Sequence, residues 1–311
     1  MSHKNMSSHN EKDSILTTRD SSFLLRIADI NIEVLSGDLR LKLRLDGAME
    51  KFVVEEGEPD IRAQARWDDL SWKSNDKLIF DSGDLWKLYS ENGSYCFRFT
   101  SPVLGVHPYK MATFTQEFAA GEVRLHLPYF NQNRPIYPLE YPLDELIVNN
   151  FLARGRGLEV HACGISDSKG QGHLFVGQST AGKTTMAKLW ENVPGTTILS
   201  DDRIILRRME GRIWMYGTPW HGEAMLASEA RAPLNRIYFL EKGLKNELIG
   251  QKTSNSISRL FTCSFPPFYN RDALDFTLAF LEDVVKNVPC TGLKFIPDKS
   301  VVEFLRWERF T

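Results

Sequence analysis

The chain has 311 residues, 42% hydrophobic and 25% charged, with a formal net charge of −2. This is ordinary globular composition, with length enough for two domains. The near balance of charge offers no footprint for nucleic acid, and no apolar run reaches the roughly 18 residues of a membrane helix.

Nucleic-acid and membrane partners are therefore not expected, while a homo-oligomer stays open. Cys96, Cys163, Cys263 and Cys290 are scattered, with no C-x-x-C pair. They read as buried small hydrophobes of a reducing compartment. The first residues are polar, without the apolar core of a secretory signal, so a cytoplasmic location is expected.

Residues 1–22 are Ser-, Asn- and charge-rich and read as a disordered lead-in. Residues 23–130 alternate with period two and read as a β-rich domain of about eight short strands. Ile30-Asn31-Ile32-Glu33-Val34 and Leu39-Arg40-Leu41-Lys42-Leu43-Arg44-Leu45 are two such runs. Asn92-Gly93 between two aromatic-rich runs predicts a hairpin. Trp67, Trp72 and Trp86 read as core or interface aromatics. Residues 131–142 (NQNRPIYPLEYP) carry three prolines and read as a linker. A second domain is expected over 143–311. It opens on a helix at 143–153, where Leu143, Leu146, Ile147 and Phe151 fall at helical spacing.

Residues 173–190 (HLFVGQSTAGKTTMAKLW) carry the strongest signal. Gly177-Gln178-Ser179-Thr180-Ala181-Gly182-Lys183-Thr184 fits the phosphate-loop pattern G-x-x-x-x-G-K-[ST] at every fixed position, with Thr185 following. The pattern predicts an apolar strand before it and a helix after it. The glycines let backbone N–H groups approach phosphate oxygens, and the helix end adds its positive dipole. Lys183 is placed to neutralise β- and γ-phosphate charge, and the Thr184 hydroxyl to ligate Mg²⁺. The loop thus points to a nucleotide and Mg²⁺; ATP as that nucleotide comes from the resemblance given below.

Downstream, apolar Ile198-Leu199 leads into Asp201-Asp202-Arg203. An adjacent acid pair can divide labour, one carboxylate holding Mg²⁺ and the other accepting a proton from an attacking hydroxyl. Arg203 is a phosphate clamp or the partner of a neighbouring acid; the residues leave both open. His221 reads as a loop residue bonded locally.

On Val160-His161-Ala162, the loop GQSTAGKTT and Leu199-Ser200-Asp201-Asp202-Arg203, residues 161–240 resemble the kinase domain of HPr kinase/phosphorylase. The likeness to ATP-dependent phosphoenolpyruvate carboxykinase is more distant. The resemblance implies an α/β P-loop kinase domain of the HPr kinase/carboxykinase type behind the β-rich domain. It gives Asp201 the role of base toward a serine hydroxyl and places His161 beside it. Thr184 and Asp202 inherit the magnesium, with Glu223 a weaker candidate for a second metal-side carboxylate. The family's usual Ser-Glu after the loop lysine is Thr184-Thr185 here. The implied function is transfer of the ATP γ-phosphoryl to a serine of a peptide or protein. The alternatives are an ATP-binding regulator that transfers little phosphate, and a kinase of free serine or a sugar.

Overall fold

A computed structural model of the protein describes residues 21–307, apart from 46, 71–75, 103, 104, 106 and 132. The expected lead-in falls outside these residues up to Ser21, and so does Trp72.

The first half folds as one nine-stranded sheet. Its strands are β1 (Ser22–Ile27), β2 (Ile30–Ser36), β3 (Val53–Val54), β4 (Ile61–Asp68), β5 (Lys77–Asp81), β6 (Trp86–Glu91), β7 (Ser94–Thr100), β8 (Pro108–Phe114) and β9 (Ala120–His126). They lie in the order β3-β1-β2-β4-β9-β8-β7-β6-β5. Two-residue turns with positive φ at both positions make the tight hairpins: Ala28-Asp29 between β1 and β2, and Asn92-Gly93 between β6 and β7. Strict alternation of burial along β4 shows one face turned inward.

Helix α1 (Leu143–Leu152) lies on that face, where Leu143, Ile147, Val148 and Phe151 join the core of the first sheet. Residues 131–142 are fastened to the same body. Ile136 donates its N–H to the Lys42 carbonyl and accepts from Arg44, both at 3.0 Å, and Leu139 is fully buried.

The second half differs from the expected α/β P-loop kinase domain of the HPr kinase/carboxykinase type. The described structure is mostly β, with 40% strand and 21% helix, in two large mixed sheets. The eight strands of the second sheet are β10 (Leu158–Ser166), β11 (Gly172–Val176), β12 (Thr197–Ser200), β13 (Arg203–Met209), β14 (Arg212–Tyr216), β15 (Arg231–Lys242), β16 (Glu247–Gly250) and β17 (Cys290–Phe295). The reason lies in the connections. Only residues 167–171 join β10 to β11, and only Glu210-Gly211 joins β13 to β14. A parallel crossover needs a dozen or more residues, so these pairs must be antiparallel hairpins. Parallel pairing is confined to β11–β15 and β15–β17 in this sheet.

Strand β10 runs between two neighbours: residues 158–161 pair with β13 and residues 164–166 with β12 along one side, and residues 162–166 pair with β11 along the other. The remaining helices are α2 (Lys183–Glu191), α3 (Thr253–Thr262), α4 (Arg271–Asn287) and α5 (Ser300–Trp307). Residues of α3 and α4 (Leu260, Leu281, Val284) share one core with Val160, Val176 and Phe239. On the other face α2 and α5 (Met186, Trp190, Val301, Leu305) pack on Cys163, Phe175 and Leu293. No described helix is long and apolar enough to cross a membrane.

The two halves share buried surface. Ile205 and Tyr216 of the second sheet, with Trp220 from the loop after β14, belong to the core of the first. The Tyr216 hydroxyl donates to Asp29 Oδ2 at 2.8 Å, and Lys51 Nζ donates to the Ala227 carbonyl at 2.9 Å.

Candidate functional site

The phosphate-loop stretch has the local form its pattern predicts. Fully buried β11 ends at Val176, residues 177–182 turn, and α2 starts at Lys183. Gly182 caps the helix at φ 107°, a conformation that leaves no room for a side chain. A Cβ there would sit 2.6 Å from the Phe295 ring, and one on Gly177 would sit 2.5 Å from Ala181 Cβ. The backbone at both points must stay bare. Thr180 holds a left-handed φ of 68° at the loop's tip.

Lys183 is buried, and its Nζ donates to the carbonyls of Gly177 at 3.0 Å and Gln178 at 3.2 Å. Burial pulls its pKa below the ordinary value, against the pull of the Asp202 carboxylate. Gly177, Gln178, Ser179, Thr180 and Ala181 open on a cleft of about 490 Å³, whose far wall is Phe239, Leu240, Glu241, Lys242, Arg259, Thr262 and Cys263. That volume is in the range of a small-molecule or cofactor site.

The acid pair sits on the turn between β12 and β13, and its two members face different ways. Asp201 is fully buried. Its Oδ1 accepts the Gly222 N–H at 2.9 Å and its Oδ2 the Ala224 N–H at 3.0 Å. Both oxygens thus pin the 222–224 loop. Asp202 is part-exposed, and its Oδ1 lies 2.8 Å from His161 Nε2 while Oδ2 pairs with Arg203. Burial works to raise its pKa, but the His161 hydrogen bond and the charges of Arg203 and Lys183 outweigh it and hold the carboxyl low. The turn is fixed by the Ser200 hydroxyl, which accepts the N–H groups of Asp202 and Arg203, each at 3.2 Å.

Strand β10 joins the two halves of this site. His161 stands opposite Arg203 in one pairing, and its neighbour Ala162 stands opposite Val176, the last residue before the loop, in the other. The Ala162 N–H also donates to the Asp202 carbonyl at 3.0 Å.

Arg203 proves to be a partner of acids. Its Nε lies 2.8 Å from Glu145 Oε1 and 3.2 Å from Glu159 Oε1, and its guanidinium stacks 4.3 Å over the Phe265 ring. Glu159 is fully buried in β10; burial, then the adjacent Glu145, push its carboxyl well above the usual range. Pattern reading missed Glu145, Glu159 and Phe265. Glu159 alternates with Leu158 and Val160 and reads as a solvent-side residue, and no local signal marks it as buried.

The structure therefore brings together Lys183, Asp202 and His161, with Thr184 half-buried in the first turn of α2 beside Thr185. Asp201 lies behind the pair, and Glu223 is exposed on the loop that Asp201 holds. His221 bonds locally, its Nδ1 3.1 Å from the Gly222 carbonyl. Among the described residues, no three His, Cys, Asp or Glu side chains gather into a metal-holding group. Thr184 and Asp202 nevertheless suit magnesium, which commonly takes one or two protein oxygens and leaves the rest to phosphate and water. The bare-backbone loop, the buried lysine and the cleft in front fit a nucleoside triphosphate.

Among known proteins, no family model matches the chain and no curated protein matches it. The likeness to HPr kinase rests on the residues quoted for it.

Proposed function

We propose that the protein is a phosphotransferase that uses ATP and Mg²⁺ to phosphorylate a hydroxyl, that of a serine in a peptide or protein. The observation that carries this reading is the Asp202–His161 pair, one residue along β10 from the strand register that leads into the lysine loop. A loop alone binds phosphate. An open, oriented carboxylate beside it is what a transfer to a hydroxyl requires.

When bound, ATP with Mg²⁺ supplies the phosphoryl group. The residues of this chain do the rest. Backbone N–H groups of 177–183 and the α2 end hold phosphate oxygens, and Lys183 balances their charge. The Thr184 hydroxyl would hold the metal, with phosphate oxygens and water completing its shell. In this reading the proton-accepting role passes from Asp201 to Asp202, because Asp201 is fully buried with both oxygens holding the 222–224 loop, whereas Asp202 is part-exposed beside His161. His161 orients Asp202 and shares the proton taken from the hydroxyl. Arg203, held by Glu145 and Glu159, keeps the second Asp202 oxygen in place.

The test is incubation with γ-labelled ATP and an extract of the native host. Label entering a serine of one small peptide or protein supports the reading. Nucleotide binding with no labelled acceptor would overturn it in favour of an ATP-binding regulator, and label in free serine or a sugar in favour of a small-molecule kinase.

A further inference from the structure

The lysine loop faces a wall that carries charges of its own. Among the residues lining the cleft, the charged ones are Glu241, Lys242 and Arg259, and all three stand across from loop residues 177–181. Strands β11 and β15 are parallel neighbours with Val176 opposite Phe239, so the loop and residues 240–242 leave the same end of the sheet. Helix α3 supplies Arg259, Thr262 and Cys263 to the same space. Its end is fastened to the strand that carries the Asp202–His161 pair, because the His161 N–H donates to the Cys263 carbonyl at 2.6 Å.

Arg259 is aimed but weakly held. Its guanidinium stacks 4.8 Å over the Phe239 ring, and one terminal nitrogen lies 2.7 Å from Glu241 Oε1. The two side chains remain 27% and 38% exposed, and an ion pair that open holds its members only loosely. A guanidinium has five N–H donors in a planar fork that matches phosphate oxygens two at a time. Arg259 and Cys263 are four residues apart on α3, which places them on one face. Burial raises the Cys263 thiol, while a hydrogen bond with Thr262 and the charges of Lys183 and Arg259 work against it. Both cations therefore stand close to the same side chain, Lys183 from the loop and Arg259 from the facing wall.

We propose that Arg259 is the second phosphate-binding cation of the site, exchanging Glu241 for phosphate oxygens when a nucleoside triphosphate enters the cleft. The inference rests on the nucleotide part of the proposed function and is independent of which hydroxyl receives the phosphoryl group. A triphosphate brings several negative charges, of which Lys183 balances one. Glu241 serves as the stand-in anion: it keeps the guanidinium over Phe239 and on the cleft wall while no phosphate is there.

The probes are a fluorescent ATP analogue and its displacement by inorganic tripolyphosphate, both with Mg²⁺. Arg259→Gln should weaken both by about tenfold or more, the scale of a hydrogen bond to a charged group. Its urea midpoint should stay near wild type, because the pair it breaks is open to solvent. Glu241→Gln removes the competing anion and should tighten both probes severalfold. Lys242→Gln takes the same charge from the same wall without the fork, and its loss should be clearly smaller. Wild-type affinity in Arg259→Gln overturns the proposal, as does a loss equalled by Lys242→Gln, which would mark a general field. A loss for the ATP analogue alone also overturns it, since Arg259 would then contact base or sugar. Should Arg259→Gln fail to fold, Glu241→Gln decides: tighter binding supports the exchange, and unchanged or weaker binding refutes it. A wild-type protein that binds neither probe overturns both the exchange and the loop reading. The expected pattern without transfer of label to any hydroxyl leaves Arg259 in its role and sinks the kinase reading. Transfer of label with Arg259→Gln at wild-type affinity does the reverse.

Discussion

The two adjacent aspartates should fail in different ways when each is changed to asparagine. Asp201→Asn keeps one acceptor oxygen and replaces the other with an NH₂ group. Of the two backbone donors now held at 2.9 and 3.0 Å, one loses its partner and meets another donor. A buried, charge-assisted hydrogen bond is worth about 1.5–3 kcal/mol, and a stranded buried donor costs about 1–3 kcal/mol. A loss of roughly 2–4 kcal/mol is expected, read as a lower urea midpoint at unchanged slope. Asp202→Asn acts elsewhere. Its side chain is part-exposed and ties no distant loop, so the urea midpoint should move little. Turnover should instead fall by roughly 10²–10⁴, the usual worth of a positioned proton acceptor, with nucleotide affinity near wild type. The pair of measurements is decisive because the reasoning assigns each residue one effect and denies it the other. A stably folded Asp201→Asn with lost turnover, beside an active Asp202→Asn, would refute the assignment.

Other outcomes follow from the same geometry. Lys183→Ala should remove nucleotide binding, measured with a fluorescent ATP analogue, while circular dichroism stays native. A fragment starting at Leu143 would expose Leu143, Ile147 and Phe151, which pack on the first sheet; it should fail to fold alone, and a native-like spectrum with nucleotide binding would contradict this. Two buried groups set a pH signature. Burial raises Asp144 to about 7, so its contribution is full below its unfolded value and is lost as pH rises through 7. Burial lowers Lys110 to about 8, so stability from that group is regained between 8 and its unfolded value. Urea melts from pH 5 to 10 should therefore show a shallow minimum near neutrality, flattened on the acid side by Asp144→Asn.

Much of the architecture was legible where the signal was local. The Asn92-Gly93 hairpin, the strand–loop–helix around Lys183 and helix α1 each depend on residues a few positions apart. The run 39–45 alternates just as well, yet it forms one bridge, Leu43 to Ile136, instead of a strand. Strand β2 pairs in parallel with β4, so the chain between them must cross back over the sheet, and Leu41 and Leu43 fill that crossover. Helix α3 (TSNSISRLFT) escaped notice because its polar sequence buries only Ser256 and Leu260. The α/β expectation failed because a phosphate loop specifies its strand and its helix and says nothing of the pairing beyond them. Within the site, the division between Asp201 and Asp202 depends on which of them meets the 222–224 loop. Adjacent identical residues carry no mark of that.

The place of β10 between two neighbours has a mechanical consequence. The strand runs between β11 on one side and β12 with β13 on the other, and His161 pairs toward Arg203 while Ala162 pairs toward Val176. The Asp202–His161 pair and the lysine loop hang from consecutive residues of a single extended segment. No hinge can open between them, so their separation is as stiff as the strand itself. What separation can vary lies across the cleft, where α3 presents Arg259 and Thr262 and the β15 end presents Glu241 and Lys242.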